Sequence, residues 1–126
     1  MLKARDIMSK TLLTICLEAS LKDAIELLVA NGISGLPVID DENKLVGIIT
    51  EKDIINFAFS GNLNNTRVSE AMSREVTSFS ADTDIHAIAL AISQHNIRRV
   101  PIVESGKVVG IISRRDIIRA ALNLQK

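Results

Sequence analysis

The segment Gly110-Ile111-Ile112-Ser113-Arg114-Arg115-Asp116 decides the fold, because the chain contains a second version of it at Gly47-Ile48-Ile49-Thr50-Glu51-Lys52-Asp53. Each version reads as a short apolar strand, then a hydroxyl residue, then an aspartate three positions later. Apolar residues at positions i, i+1, i+4 and i+5 follow each aspartate, a spacing that predicts an amphipathic helix. These residues are Ile54, Ile55, Ala58 and Phe59 in the first version and Ile117, Ile118, Ala121 and Leu122 in the second.

The hydroxyl residue and the aspartate allow two interpretations. Thr50 and Ser113 could cap the helix by accepting from backbone N–H groups of its first turn, with the aspartate closing a capping box. Alternatively, the same N–H groups and hydroxyl could bind a phosphate, and the carboxylate could accept from ribose hydroxyls. One motif alone favours the cap. Its occurrence at matching places in two halves strengthens the second interpretation.

The whole chain repeats itself. A shift of 64 residues aligns Asp6-Ile7-Met8-Ser9 with Glu70-Ala71-Met72-Ser73, and a shift of 63 holds after the central turn, where loss of one residue is tolerated. We therefore predict a first copy at residues 1–60, a linker at 61–66 that is rich in Gly, Asn and Ser, and a second copy at 67–126.

Each copy predicts the order β-α-β-β-α, so the fold class is α+β, with the apolar sheets of the two copies packed against each other. Ser20 and Asp84 occupy N-cap positions, while Gly32 and Asn96 suit left-handed C-caps. The remaining predicted elements are a short strand near Leu13–Cys16 and Thr77–Ser80, and hairpins at Leu36–Asp40 with Lys44–Ile49 and at Val100–Glu104 with Lys107–Ile112.

Composition narrows the class of protein. Of 126 residues, 47% are apolar, enough for a packed core, and no apolar run approaches the roughly 18 residues of a membrane span. The single Cys16 suits a reducing cytoplasm, and we expect it to be buried and inert. Residues 1–66 hold six Lys/Arg against nine Asp/Glu and residues 67–126 hold nine against six, which favours head-to-tail contact between chains or an anionic ligand in the second half.

Taken together, these motifs resemble a pair of cystathionine-β-synthase (CBS) domains, the Bateman module, along residues 3–123. The resemblance implies two repeats related by a pseudo-twofold axis, with clefts between them that bind AMP, ADP, ATP or S-adenosylmethionine. It also implies disc-shaped homodimers, head-to-head or head-to-tail. The residues that carry it are Asp6-Ile7-Met8, Ile33-Ser34-Gly35-Leu36-Pro37, Ile97-Arg98-Arg99-Val100-Pro101 and the two opening segments quoted above.

By this resemblance, Asp53 and Asp116 would hold ribose hydroxyls, and Thr50 and Ser113 would face phosphate. Adenine would lie against Ile33 and Ile97 and the backbone around Thr14, Cys16, Ser78 and Ser80. The second cleft, lined by Ile97 to Pro101, carries Arg98 and Arg99, where the first has Ser34 and Gly35 before Pro37. A guanidinium can fork onto a phosphate, so we expect nucleotide to prefer the second cleft, unless Arg98 and Arg99 are only a solvated pair.

The leading hypothesis is therefore a stand-alone, cytoplasmic regulatory module that signals a bound adenosine nucleotide to an effector protein or to its own homodimer. We expect no enzyme, metal site or cofactor, since His86, His95 and Cys16 lack partners at metal or catalytic spacing. A structural dimerisation module with vestigial clefts is the alternative. Nucleic-acid binding is disfavoured because aromatic stacking platforms are missing, although five arginines, Arg98, Arg99, Arg114, Arg115 and Arg119, lie in the second copy.

Overall fold

The structure is a computed structural model that describes residues 1–125. It confirms the α+β class. The elements in chain order are α1 (Ala4–Ile7), β1 (Ile15–Cys16), α2 (Leu21–Asn31), β2 (Gly35–Ile39), β3 (Leu45–Thr50), α3 (Glu51–Ile55), α4 (Val68–Ala71), α5 (Ile85–His95), β4 (Arg99–Glu104), β5 (Lys107–Ser113) and α6 (Arg114–Leu124).

These elements form two compact units, and the residues of each unit do not coincide with those of one sequence copy. Residues Leu13–Val76 make a contiguous unit, and Met1–Leu12 join Thr77–Lys126 in a composite unit. The opening segment of the first copy thus belongs with the body of the second. In the composite unit the backbone N–H of Ala4 donates to the Thr83 carbonyl (2.8 Å), and Ser9 and Ile111 exchange backbone hydrogen bonds.

In the contiguous unit, local signals mark the ends of α2 and the β2–β3 hairpin as predicted. The Ser20 hydroxyl accepts from the Asp23 N–H (3.1 Å) at the start of α2, which ends at Gly32 with φ 60° and ψ 37°. Strand β1 runs parallel to β2, and β2 is antiparallel to β3. The buried core consists of Ile15, Leu21, Ala24, Leu28, Leu36, Val38, Ile49, Ile54 and Val68.

The composite unit repeats this arrangement with one reduced strand. Asp84 caps α5, Asn96 ends it in the left-handed conformation, and a turn at Ser105-Gly106 joins β4 to β5. The predicted strand Thr77–Ser80 is wrong in extent, because only Phe79 pairs, in parallel with Ile102, before the chain turns. The buried core consists of Ala4, Ala81, Ile88, Ile92, Val100, Ile102 and Ile112.

The last helix of each copy buries fewer apolar side chains than its sequence pattern suggests. Ile54 is buried, but Ile55 and Ile118 are 69% and 68% exposed, because neighbouring helical positions point about 100° apart. Helix α3 also ends at Ile55, so Phe59 lies beyond it and is fully exposed. The helix predicted after Thr50 is therefore present but too short to include Ala58 and Phe59, whereas α6 extends through Leu124. None of the helices within residues 1–125 is both long and apolar enough to span a bilayer.

Candidate functional site

The two duplicated segments fold into the same capping box. At the start of α6 the Asp116 Oδ2 accepts from both the Ser113 N–H (2.8 Å) and the Ser113 hydroxyl (3.0 Å), and Ser113 Oγ accepts from the Asp116 N–H (3.3 Å). Thr50 and Asp53 make the same three bonds at the start of α3, at 2.9, 2.9 and 3.3 Å. The capping interpretation is thus confirmed in both copies.

Capping leaves part of each carboxylate available. The Asp116 side chain is 19% exposed, and its Oδ1 lies 3.5 Å from Arg119 Nη1. Asp53 is also partly buried, and among residues 1–125 only its Oδ2 takes a hydrogen bond. A carboxylate with one oxygen held in the cap and the other unused by it can accept from a ligand hydroxyl. The predicted ribose roles of Asp53 and Asp116 stay predictions.

Backbone pairing in the composite unit brings together the predicted residues of the second copy. Arg99 is the register partner of Ser113, and the Arg114 N–H donates to the Arg98 carbonyl (3.0 Å). On the other side of β4, the Phe79 N–H donates to the carbonyl of buried Pro101 (3.2 Å). Strand pairing therefore places three predicted segments on adjacent backbone: Ser78–Ser80, Ile97–Pro101 and Ser113–Asp116.

Side chains in this group differ in exposure. Arg98, Arg99, Ser78 and Ser80 are exposed, whereas Ile97 is partly buried against the core. Within the described part of the chain, neither Arg98 nor Arg99 uses its guanidinium in a hydrogen bond or an ion pair. Two cationic residues on the backbone next to the Ser113 cap therefore have no neutralising partner among residues 1–125.

The contiguous unit brings together the predicted residues of the first copy in the same way. Gly35 is the register partner of Thr50, and the Glu51 N–H donates to the Ser34 carbonyl (2.9 Å). Pairing of β1 with β2 sets Ile15 beside Val38 and Cys16 beside Ile39, so Thr14 and Pro37 each directly precede a paired residue. Ile33 packs against the core. The expectation that Cys16 is buried is wrong: it is exposed, because side chains alternate along β1 and Ile15 takes the inner position.

The two sites have opposite electrostatic surroundings. The contiguous unit holds five Lys/Arg and ten Asp/Glu, and the composite unit holds ten and five, so their formal charges are −5 and +5. Because the opening segments are exchanged, the difference in formal charge is larger between the two units than between the two halves of the sequence. Five arginines near the Ser113 cap, Arg98, Arg99, Arg114, Arg115 and Arg119, correspond in the repeat to Ser34, Gly35, Glu51, Lys52 and Asn56.

Sequence reasoning gave Arg114 only a possible role in nucleic-acid binding and missed its structural one. Its Nε donates to the Ile97 carbonyl (2.9 Å) and its Nη2 to Asn96 Oδ1 (2.9 Å), so it ties the end of α5 to the start of α6. A signal was present in the repeat: Asn96 and Arg114 align with Gly32 and Glu51, so both partners change together.

The two histidines lie at opposite ends of α5. His86 bonds to the Asp84 cap: its backbone N–H donates to Asp84 Oδ1 (2.9 Å), and its Nδ1 lies 3.0 Å from the same oxygen. These bonds, the backbone one foremost, lower the pKa of the exposed Asp84 carboxyl. His95 is exposed in the last turn of α5. Within residues 1–125, no group of three or more His, Cys, Asp or Glu is placed to hold a metal ion.

The fold has solved counterparts. CBSX2, a CBS-pair protein from Arabidopsis thaliana, has a structure in complex with AMP that is 29% identical to this chain, with a TM-score of 0.90 and full coverage of both chains. The CBS domain pair of protein MJ0100, in complex with 5-methylthioadenosine and S-adenosyl-L-methionine, is 33% identical with a TM-score of 0.83. That match covers 100% of this chain and 99% of the other.

Sequence comparison identifies the family. Uncharacterized protein MJ1225 of Methanocaldococcus jannaschii is 30% identical over 115 residues, which are 91% of this chain and 41% of that protein. The chain spans less than half the length of the first curated relatives that it matches, at 41%, 23% and 22%. The family model of the CBS domain matches residues 4–60 and again residues 68–123. With two such matches covering most of its length, the chain belongs to the CBS-domain family and carries a tandem CBS pair.

Proposed function

We propose that this CBS pair is a regulatory module that binds an adenosine nucleotide at the Ser113–Asp116 site of the composite unit. The observation that carries the proposal is the cap of α6 with exposed Arg98 and Arg99 on the neighbouring backbone. The CBSX2 structure in complex with AMP, which matches this chain over its full length, supports the same ligand class.

Charge is the reason for preferring the composite unit. A charge-assisted hydrogen bond contributes about 1.5–3 kcal/mol, or roughly a ten- to hundredfold gain in affinity. Arg98 or Arg99 could supply such a bond to a phosphate, whereas Ser34 offers one hydroxyl and Gly35 none. Glu51, on the first turn of α3, would repel an anion. The contiguous unit therefore suits a less charged adenosine compound, as methylthioadenosine is, or binds none.

We propose binding without catalysis. The groups at each site are a capping hydroxyl, a capping carboxylate and, in one unit, free guanidinium groups, which bind and orient a ligand. Nucleotide would favour the conformational state of the module that it fits best, and an effector protein sensitive to that state would respond.

A thermal-shift panel tests the proposal. Only a ligand that favours the folded state raises the melting temperature, so AMP, ADP, ATP, S-adenosylmethionine and methylthioadenosine should be compared with inosine monophosphate at equal concentration. We expect at least one adenine nucleotide to raise the melting temperature while the inosine compound does not. A melting temperature indifferent to the whole panel would refute adenosine binding and leave the structural alternative.

Exposed apolar residues favour a second candidate function, self-association. Ile55 and Phe59 form an exposed pair four residues apart in the contiguous unit, and Ile118 and Leu122 form the equivalent pair in the composite unit. We propose that these pairs meet in a homodimer, with the −5 unit of one chain on the +5 unit of the other. This head-to-tail pairing avoids placing Arg115 and Arg119 against their own copies.

Cysteine cross-linking distinguishes the two orientations. In a Cys16→Ser background, chains carrying only Phe59→Cys are mixed with chains carrying only Leu122→Cys under mild oxidation. Head-to-tail pairing predicts disulfide-linked dimers in the mixture and few in either variant alone. Efficient cross-linking of a single variant with itself would show head-to-head pairing instead, and a monomer at all concentrations would exclude both.

A further inference from the structure

The Asn96–Arg99 segment receives three hydrogen bonds from Arg114. It joins the left-handed end of α5 to the start of β4 and carries Arg98 and Arg99. Arg114 binds it at three successive residues: through Nη2 to Asn96 Oδ1 (2.9 Å), through Nε to the Ile97 carbonyl (2.9 Å) and through its backbone N–H to the Arg98 carbonyl (3.0 Å).

The first copy has only the backbone part of this arrangement. Glu51 donates its N–H to the Ser34 carbonyl (2.9 Å), as Arg114 does to Arg98. Gly32, however, has no side chain to accept a bond, and a carboxylate such as Glu51 cannot donate one. The clamp therefore exists only in the copy whose loop carries two arginines, and both of its partners are absent together from the other copy.

We infer that Arg114 is a positioning residue, which clamps the Asn96–Arg99 segment so that Arg98 and Arg99 are presented to the phosphate of the nucleotide. The inference rests on the proposed function and assigns a role within it. Nε and Nη2 of Arg114 both bond to the loop, so two of its three guanidinium nitrogens already serve the positioning role. A loop held in its binding conformation loses less entropy when the ligand binds.

Hydrogen exchange in the ligand-free protein tests the clamp itself. We expect Arg114→Ala to speed exchange of the hydrogen-bonded amides at positions 97 and 114 by about tenfold or more, because local opening is no longer opposed by the two side-chain bonds. The amides of Ile33 and Glu51, which make the equivalent bonds in the first copy, serve as an internal control and should not change. Arg115→Ala, which removes a neighbouring exposed charge, should leave both sets unchanged. Unaltered exchange of the amides at positions 97 and 114 in Arg114→Ala would overturn the inference.

Calorimetry with AMP then tests the consequence. Arg114→Ala and Arg114→Lys should each weaken binding by roughly three- to tenfold, because Lys keeps the charge but not the rigid fork. Asn96→Gly copies the first repeat, fits the left-handed backbone and leaves the charge untouched. It should also weaken AMP binding. The double variant Arg114→Ala/Asn96→Gly should bind AMP no more weakly than Arg114→Ala alone, since the two partners form one interaction.

Two results would contradict the positioning role. Wild-type affinity in Arg114→Lys, together with a neutral Asn96→Gly, would assign Arg114 a charge effect on the phosphate. Additive losses in the double variant would show that Asn96 and Arg114 act separately. If AMP fails to bind the wild-type chain, the proposed function fails, and the exchange experiment still decides whether the clamp exists.

Discussion

Met8 packs against the α-carbon of Gly110, and Met72 packs against Gly47 in the same way. A Cβ added to Gly110 would lie 2.7 Å from Met8 Cγ, and one added to Gly47 would lie 2.7 Å from both Met72 Sδ and the Ser73 carbonyl oxygen. Each methionine comes from the opening segment of one copy and each glycine from the hairpin of the other. These contacts fix the exchanged segments onto the two units.

Adding a methyl group at these glycines tests the contacts. We expect Gly47→Ala and Gly110→Ala to lower the free energy of unfolding by about 1–3 kcal/mol. Gly47→Ala should cost more, because it meets a backbone oxygen, whereas the Met8 side chain can move. Urea denaturation measures both. In the double variant Met8→Ala/Gly110→Ala, the cost of adding the Gly110 methyl should largely disappear, and an unchanged cost would argue against the packing.

Removing residues 1–12 tests the exchange of segments more broadly. Ala4 is fully buried in the composite unit, and the Ser9 carbonyl accepts from the Ile111 N–H (3.1 Å). Without this segment, amides of β5 should exchange with solvent faster, while amides of β2 and β3 in the contiguous unit keep most of their protection. Hydrogen exchange with mass spectrometry measures this. Loss of protection mainly in β2 and β3 would contradict the assignment of the segment.

Local signals were sufficient for the caps and turns. Ser20, Gly32 and Asn96 act through their own backbone neighbours, so the residue type alone indicated their positions. The Ser113 and Asp116 cap was equally predictable, and the repeat showed that it occurs twice. Strand pairing then placed the predicted site segments beside one another as the hairpin register required.

The wrong predictions concern tertiary context. Cys16 occupies the outer position of a two-residue strand, which hydropathy cannot distinguish from the inner one. The apolar residue Phe59 was assigned to a helix that ends at Ile55. The exchange of opening segments and the Arg114 clamp both join residues far apart in sequence, and no local pattern encodes such contacts.

Salt should weaken the proposed homodimer. If a unit of charge −5 meets one of +5, raising NaCl from about 0.05 M to about 0.5 M screens the attraction and should increase the dissociation constant. Analytical ultracentrifugation measures this. Phe59→Glu should give a folded monomer, because Phe59 is fully exposed and contributes nothing to the core. A dimer that resists both changes would require another interface.

Acid should remove the contribution that the charged Asp84 carboxylate makes to the stability of the folded chain. Its pKa is lowered chiefly by the backbone N–H of His86, so the charged form stabilises the folded chain at neutral pH. That contribution is complete above the ordinary pKa of 3.8 and is lost as pH falls through the lower folded pKa. Asp84→Asn keeps a good N-cap without the charge. Urea midpoints of the two proteins should differ at neutral pH and converge in acid, and a constant difference would exclude the charge as its cause.

Calorimetric titration of AMP into the wild-type chain and two matched variants tests the central claim most directly. Asp116→Ala and Asp53→Ala each remove the same capping carboxylate, one from each unit, so their effects on folding should be similar. We predict that wild type binds AMP with a dissociation constant below about 1 mM, that Asp116→Ala weakens it about tenfold or more, and that Asp53→Ala leaves the strong site intact. Absence of AMP binding, or a loss confined to Asp53→Ala, would contradict the assignment of the nucleotide to the Ser113–Asp116 site.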